Sequence, residues 1–331
     1  MTKKTLFTLF FILFAYMSYA QEIAFKFNKD SRFKIVQFTD VHYKYGKPES
    51  AVAIDLIKEV LDAEKPDLVV FTGDVVWAKP AKEALDEVFN TVVERKIPWA
   101  YIFGNHDDEF GMSRQEIMDY VSQKPYCVAR AGDKSLDGVG NYILEVKDKK
   151  ENKIEALLYF MDSKAYSKIK NVGHYDWFGF NQVNWYLQES AAYTAANKNK
   201  PYPALAFFHI PLAEYPLMTT AKDAKIIGEK RENECNGKLN SGMFAAMRTS
   251  GDVMGTFVGH DHDNDYIGEY YGLYLAYGRY SGGKTVYNNL GKNGCRIIEL
   301  KEGKREFSTY IRLLGGETLY PVEYPKTFPI K

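Results

Sequence analysis

An α/β fold, with two β-sheets packed face to face and helices outside, is predicted by two features of this 331-residue sequence. Between residues 33 and 103, short apolar runs rich in β-formers alternate with amphipathic helical stretches. From residue 142 onward a hairpin pattern and a series of short strands take over. The alternation implies parallel strands and the hairpin implies antiparallel ones, so mixed sheets are expected. A chain this long can bury roughly three quarters of its unfolded surface and needs no staples. No internal repeat or low-complexity linker divides it, and residues 21–331 read as one domain.

The elements follow in order. Residues 33–38 form a strand, 49–64 a helix, 68–72 a second strand, and 82–95 a second helix with Leu85, Val88, Phe89 and Val92 on one face. A third strand covers 97–103. Residues 142–146 and 154–161 make a hairpin across the charged turn 147–153. A helix over 181–196 precedes strands at 204–208 and 253–258, and short strands run from 266 to about 300. From about residue 315, Pro321, Pro325 and Pro329 suggest a tail that hugs the surface.

Residues 1–20 have the features of a secretory signal. Lys3 and Lys4 precede an apolar run over 6–16, and Ser18-Tyr19-Ala20 is a small-x-small cleavage pattern, so the mature chain begins at Gln21. The run is short for a membrane span, which takes roughly 20 residues; an uncleaved anchor is the alternative. No cysteine follows the cleavage site, which leaves a lipid anchor unsupported. A secreted or periplasmic protein with no later transmembrane segment is expected. Cys127, Cys235 and Cys295 lack metal-ligand spacing; they make one disulfide and a free thiol, or three buried unpaired thiols.

The charge is balanced, 43 basic against 43 acidic residues, which argues against a general polyanion or nucleic-acid binder. A small phosphorylated substrate remains compatible, since only a local site must attract it. The 25 Tyr and 21 Phe suit a thick core or a stacking surface.

Five of the six histidines fall in short, similar settings: Asp40-Val41-His42, Gly104-Asn105-His106-Asp107, Phe208-His209-Ile210-Pro211 and Gly259-His260-Asp261-His262. Gly73-Asp74 has the same setting without a histidine. Each block follows an apolar run, at strand ends, where α/β folds gather reactive side chains. In extended chain, residues i and i+2 point the same way, so Asp40 and His42 can grip one ion, and His260 and His262 can converge from the opposite side. Glycine before the ligand at Gly73, Gly104 and Gly259 permits a sharp turn. One such histidine is ordinarily structural; five blocks together point to a metal centre.

In this order the blocks resemble the calcineurin-like metallophosphoesterase superfamily, over residues 33–280. The segments 207–212, 240–244 and 259–265, and Asn181-Gln182-Val183-Asn184-Trp185, look closest to its purple-acid-phosphatase-like branch. The resemblance implies a four-layer α/β/β/α sandwich and two metal ions. Asp40, His42 and His262 would hold the first ion; Asn105, His209 and His260 the second; Asp74 would bridge both. Hydroxide shared by the ions would attack the phosphate ester, with His106 assisting the leaving group and Asp107 or Asp108 orienting its ring. Trp77 stands where true purple acid phosphatases have an iron-binding tyrosine. With only two anionic ligands, two divalent ions (Zn, Mn or Fe(II)) and a colourless protein are expected.

His174 could line the pocket or be a plain loop residue, and Arg231, in the charged stretch 222–238, and Arg279 are candidate substrate contacts. The function expected is phosphomonoester hydrolysis. A phosphodiesterase acting on nucleotides or lipid headgroups is the alternative, and a catalytically silent metal- or phosphate-binding protein is a further one. The oligomeric state is open.

Overall fold

The computed structural model describes residues 23–329, so the signal-like segment 1–20 lies outside the described residues. Strands β1 (Phe25–Lys26) and β2 (Arg32–Phe38) precede the first β-α-β-α-β run: α1 (Ala51–Glu64), β3 (Leu68–Thr72), α2 (Ala81–Val93) and β4 (Trp99–Ile102). Then come α3 (Arg114–Val121), β5 (Tyr142–Lys147), β6 (Ile154–Phe160), α4 (Phe180–Ala196), β7 (Ala204–Phe207), α5 (Glu214–Thr220) and β8 (Ile226–Ile227). The chain closes with α6 (Met243–Ser250), β9 (Val253–Val258), β10 (Ile267–Tyr270), β11 (Leu273–Tyr277), β12 (Gly294–Lys301), β13 (Phe307–Leu313) and β14 (Thr318–Tyr324).

Both sheets are mixed. One has the order β14-β13-β12-β2-β3-β4, the other β1-β5-β6-β7-β9-β11-β10-β8. In the first, β2, β3 and β4 are parallel while β12 runs antiparallel to β2. In the second, β6, β7, β9 and β11 are parallel. Their inner faces meet in an apolar layer where Phe257 packs edge-on against Phe307. Two buried polar side chains pin the sheets together. Gln37 on β2 donates to the Val258 carbonyl on β9 (3.0 Å), and Arg296 on β12 donates to the Tyr277 carbonyl on β11 (2.6 Å). Each thereby finds an acceptor for a buried side-chain donor that would be costly to leave unpaired.

Helices cover the outer faces. Phe89 of α2 stacks on Trp99 of β4 (4.2 Å), and Glu64 of α1 receives Lys34 and Arg312 from the six-stranded sheet. On the other side Tyr186 of α4 packs on Tyr159 of β6, and both hydroxyls donate to the buried Asp252. This is the four-layer sandwich expected.

Three short helices (α3, α5 and α6) and four strands (β1, β8, β13 and β14) were not anticipated. Helix α3 carries a capping box that the sequence displays, Ser113 with Glu116 at the third position. Helices α5 and α6 are one or two turns long, too short for periodicity to register. The tail expected from residue 315 is instead strand β14, with Val322 and Tyr324 buried. Its proline sits where the pairing breaks: the register shifts between Val322 and Leu319, and Tyr320 there has φ +56°. At a bulge on an edge strand, Pro321 owes no ladder hydrogen bond. The three cysteines are unpaired, but only Cys295 is buried, while Cys235 is exposed.

Candidate metal centre

Parallel strands of both sheets deliver their C-terminal ends to one place. Asp40 and His42 follow β2, Asp74 follows β3, Asn105 and His106 follow β4, His209 follows β7, and His260 and His262 follow β9. The extended-chain reasoning for Asp40 and His42 does not hold. Asp40 (φ +54°), His42 (+43°), Asp74 (+52°) and His260 (+83°) all adopt left-handed backbone conformations, which turn consecutive ligands inward. Such positions cost of order 1–3 kcal/mol each and persist where their surroundings over-determine them. Here the amides of Asp40 and His42 donate to the carbonyls of Gly73 and Asp74. A side chain at Gly104 would overlap the Asp74 carboxylate, and one at Gly259 would overlap Thr39.

Asp107 underlies this corner. Its carboxylate accepts from the amides of Asp74 (2.9 Å), Val75 (2.7 Å) and Gly104 (2.8 Å), knitting the β3 and β4 loops together. That corrects its expected role: it does not orient His106. Asp108 is drawn to Arg114 (3.5 Å). The carboxylate on His106 is Glu109, whose Oε2 lies 2.8 Å from Nδ1.

The candidate donors form two groups of buried side chains, Asp40–His42–His262 and Asp74–His209–His260. Asp74 stands between them, its Oδ2 3.2 Å from His209 Nε2 and 3.6 Å from His42 Nε2. None of these six, nor Asn105, is more than 7% exposed. His209 donates from Nδ1 to the Thr72 carbonyl (2.7 Å) and His262 from Nδ1 to the Tyr287 carbonyl (3.1 Å). Both therefore turn Nε2 inward, as metal-binding imidazoles do.

The donor set fits two cations. His42 Nε2 and His262 Nε2 face each other at 3.0 Å, and His260 Nδ1 faces His209 Nε2 at 3.3 Å. Facing lone pairs repel unless a cation or proton lies between them, and two nitrogens on one ion at about 2.1 Å would be separated by about this much. The Asn105 Oδ1 is buried without a hydrogen-bond partner, an unusual state that a ligand ion would relieve. Burial pushes His42 and His260 well below the ordinary histidine range and His262 down to about 4, so these rings are neutral and able to ligate. Burial would also lower His209, but Asp74 and then Asp40 outweigh it and lift it to about 9. Burial raises Asp40 to about 7, whereas Asp74, despite burial, is held low by His209 and His42.

Several residues around the mouth escaped sequence reasoning. Tyr166 reaches Glu109 and Asn105 through its hydroxyl, and the Tyr175 ring packs edge-on against His260 (4.4 Å). Tyr287 stacks on His262 (4.5 Å). Trp77 packs edge-on against the rings of both His42 (4.7 Å) and His106 (4.5 Å), supplying packing and no oxygen ligand. His174 is exposed and packs on Tyr166 and Tyr175. Neither candidate arginine serves the site. Arg279 is buried, spending its donors on Asp265 and the carbonyls of Leu290 and Lys292. Arg231 pairs with Glu229 and the Asn289 carbonyl.

Among known proteins, residues 33–264 match the family described as calcineurin-like phosphoesterase. The chain is 35% identical over 321 residues to probable inactive purple acid phosphatase 29 of Arabidopsis thaliana, covering 86% of this chain and 81% of the relative. It is 33% identical over 324 residues to phosphatase DCR2 of Saccharomyces cerevisiae, covering 87% of this chain and 54% of the relative. A solved dimetal phosphatase from Danio rerio shares the fold, with a TM-score of 0.58 at 14% identity over 87% of this chain and 98% of that one.

Proposed function

The chain belongs to the calcineurin-like phosphoesterase family, and we propose that it is an active two-metal phosphoesterase that hydrolyses a small phosphate monoester. The observation that carries this is the pair of buried donor groups sharing Asp74, with the free Oδ1 of Asn105 beside them. Asp40, His42 and His262 would hold one divalent ion and Asn105, His209 and His260 the other, with Asp74 common to both. When bound, two such ions (Zn, Mn or Fe(II)) supply Lewis-acid activation of water and a clamp on the phosphate.

The chain's own contribution is placement and charge. Asn105 offers a neutral amide where a carboxylate would repel phosphate. His106, a quarter exposed at the mouth, engages Glu109 through Nδ1 and so presents Nε2 to the leaving oxygen. As the ester P–O bond breaks, a proton from Nε2 would neutralise that oxygen. With Trp77 replacing an oxygen ligand, a colourless protein is expected.

The names of the relatives pull in two directions. One is called a probable inactive purple acid phosphatase, which favours a silent binding protein; the other is called a phosphatase, which favours turnover. All seven donor positions and His106 are present in this chain, and turnover is the better reading.

The test is metal content and activity on one preparation, beside His209→Ala, with Zn and Mn each added back. Nitrophenyl phosphate and its bis-nitrophenyl diester are the substrates. About two ions per chain, with turnover that collapses in the variant, supports the hydrolase. Preference for the diester would replace the monoester reading by the phosphodiesterase one. Ions without turnover on either ester would favour the silent reading, and no bound ion would overturn the proposal. We also propose export to the periplasm or medium on the N-terminal segment; N-terminal sequencing that begins at Gln21 would support it, and an intact Met1 would not.

A further inference from the structure

Resting on the phosphoesterase reading, we propose that Tyr166 and Glu109 are positioning residues: Glu109 aims His106 at the leaving oxygen, and the Tyr166 hydroxyl ties that carboxylate to the amide of Asn105.

The hydrogen-bond inventory decides the roles. Glu109 can only accept; its Oε2 takes the His106 Nδ1 proton at 2.8 Å and its Oε1 takes the Tyr166 hydroxyl proton at 2.8 Å. A hydroxyl has one proton to give, and Tyr166 has given it. Toward Asn105, 3.2 Å away, it can therefore only accept, so the amide must turn its NH2 to the tyrosine and its Oδ1 to the metal donors. Without that hydroxyl, nothing among the described hydrogen bonds distinguishes the two ends of the Asn105 amide. One phenol thus sets the facing of a second-ion ligand and locks the carboxylate that holds the acid.

The support for Tyr166 comes from the opposite sheet. It lies beyond β6, is bridged to Tyr175 in an antiparallel pair, and that segment is closed by Ser167 N–H to His174 O (2.9 Å) and Asp176 N–H to Ala165 O (3.0 Å). Tyr175 in turn meets His260. The 165–176 segment therefore spans the cluster from the Asn105 side to the His260 side, and its removal would take away the Tyr166 hydroxyl, 3.3 Å from His106 Nδ1, and leave that ring to Glu109 and its packing on Trp77 and His42.

The experiment uses Tyr166→Phe and Glu109→Gln in the purified protein. Tyr166→Phe keeps the ring that packs on Tyr175, and an unchanged thermal midpoint checks that it folds. Two readouts separate positioning from generic damage. First, kcat is compared on propyl phosphate, whose alkoxide needs a proton to leave, and on nitrophenyl phosphate, whose phenolate does not. Both variants should lose about 10–100-fold on the propyl ester, the usual range for outer-shell partners, and far less on the nitrophenyl ester. Second, Mn2+ titration calorimetry, which needs no turnover, should show the weaker ion bound about tenfold less tightly in Tyr166→Phe and unchanged in Glu109→Gln. Equal losses on both esters, or wild-type Mn2+ affinity in Tyr166→Phe, would overturn the assignment. If the wild-type protein hydrolyses neither ester, the phosphoesterase reading fails on its own, and the calorimetry still decides the Tyr166–Asn105 link.

Discussion

The two sheets contribute unequal chemistry to the same site. Strands β2, β3 and β4 of the six-stranded sheet supply both carboxylates, the amide and one imidazole: Asp40, Asp74, Asn105 and His42. Strands β7 and β9 of the eight-stranded sheet supply three imidazoles, His209, His260 and His262, and no carboxylate. One sheet therefore brings the anionic attraction and the element common to both donor groups, and the other closes each group separately. Losing a donor should matter very differently by side.

The strongest way to test that asymmetry is Asp74→Ala. Removing the shared carboxylate should strip both ions and lower kcat by about 10³-fold or more, seen as a metal content near zero. His262→Ala, on the other side, should cost one ion and leave the second measurable; if it empties the site completely, the division between the sheets is wrong. Asp107→Ala tests the scaffold below. It leaves buried amides of Asp74, Val75 and Gly104 without an acceptor, and a loss of about 3 kcal/mol is expected in urea unfolding, with Asp107→Asn losing less.

Proton release sharpens the electrostatic half of the comparison. After chelation, His209 (about 9) keeps its proton through neutral pH, and Asp40 (about 7) takes one as the pH falls below neutrality. Mn2+ must displace both, because only the unprotonated forms ligate. Calorimetry in buffers of different ionisation enthalpy should give about one proton released near pH 8, more toward pH 6, and progressively fewer above pH 9. A release independent of pH over that range would contradict the carboxylate–imidazole pairing. The smallest effect is expected for Arg231→Ala, which should change neither kcat nor metal content, since its guanidinium is spent on Glu229 and Asn289.

Much of this was legible in the residues, and what was not has physical reasons. Apolar runs ending in Asp, Asn or His marked the strand ends, because buried parallel strands need continuous hydrophobicity and polar ligands can appear only where they stop. The path between those ends was misjudged: the ligands converge through left-handed turns at Asp40, His42, Asp74 and His260, which residue spacing does not encode. Arg279 looked available because its partners are Asp265, 14 positions away, and backbone carbonyls, which pattern reading cannot see; Arg231 looked available although Glu229, two positions away, already takes it. Tyr166 was hidden by distance in sequence, whereas Glu109, three positions after His106, was overlooked in favour of the nearer Asp107 and Asp108. A tyrosine after β6 meets a loop after β4 only once the two sheets have stacked. The prolines of β14 hid an edge strand, whereas Ser113 and Glu116 did announce helix α3 to a closer look.

The donors run from residue 40 to residue 262, the first four from one sheet and the last three from the other, and the two layers meet only in the finished fold. No fragment that stops short of residues 40–262 contains every donor, so metal stoichiometry doubles as a gauge of conformational integrity. Once one preparation has bound two ions per chain, a shortfall in another after add-back counts molecules whose layers have not closed, and dividing activity by bound metal rather than by protein mass will correct for them.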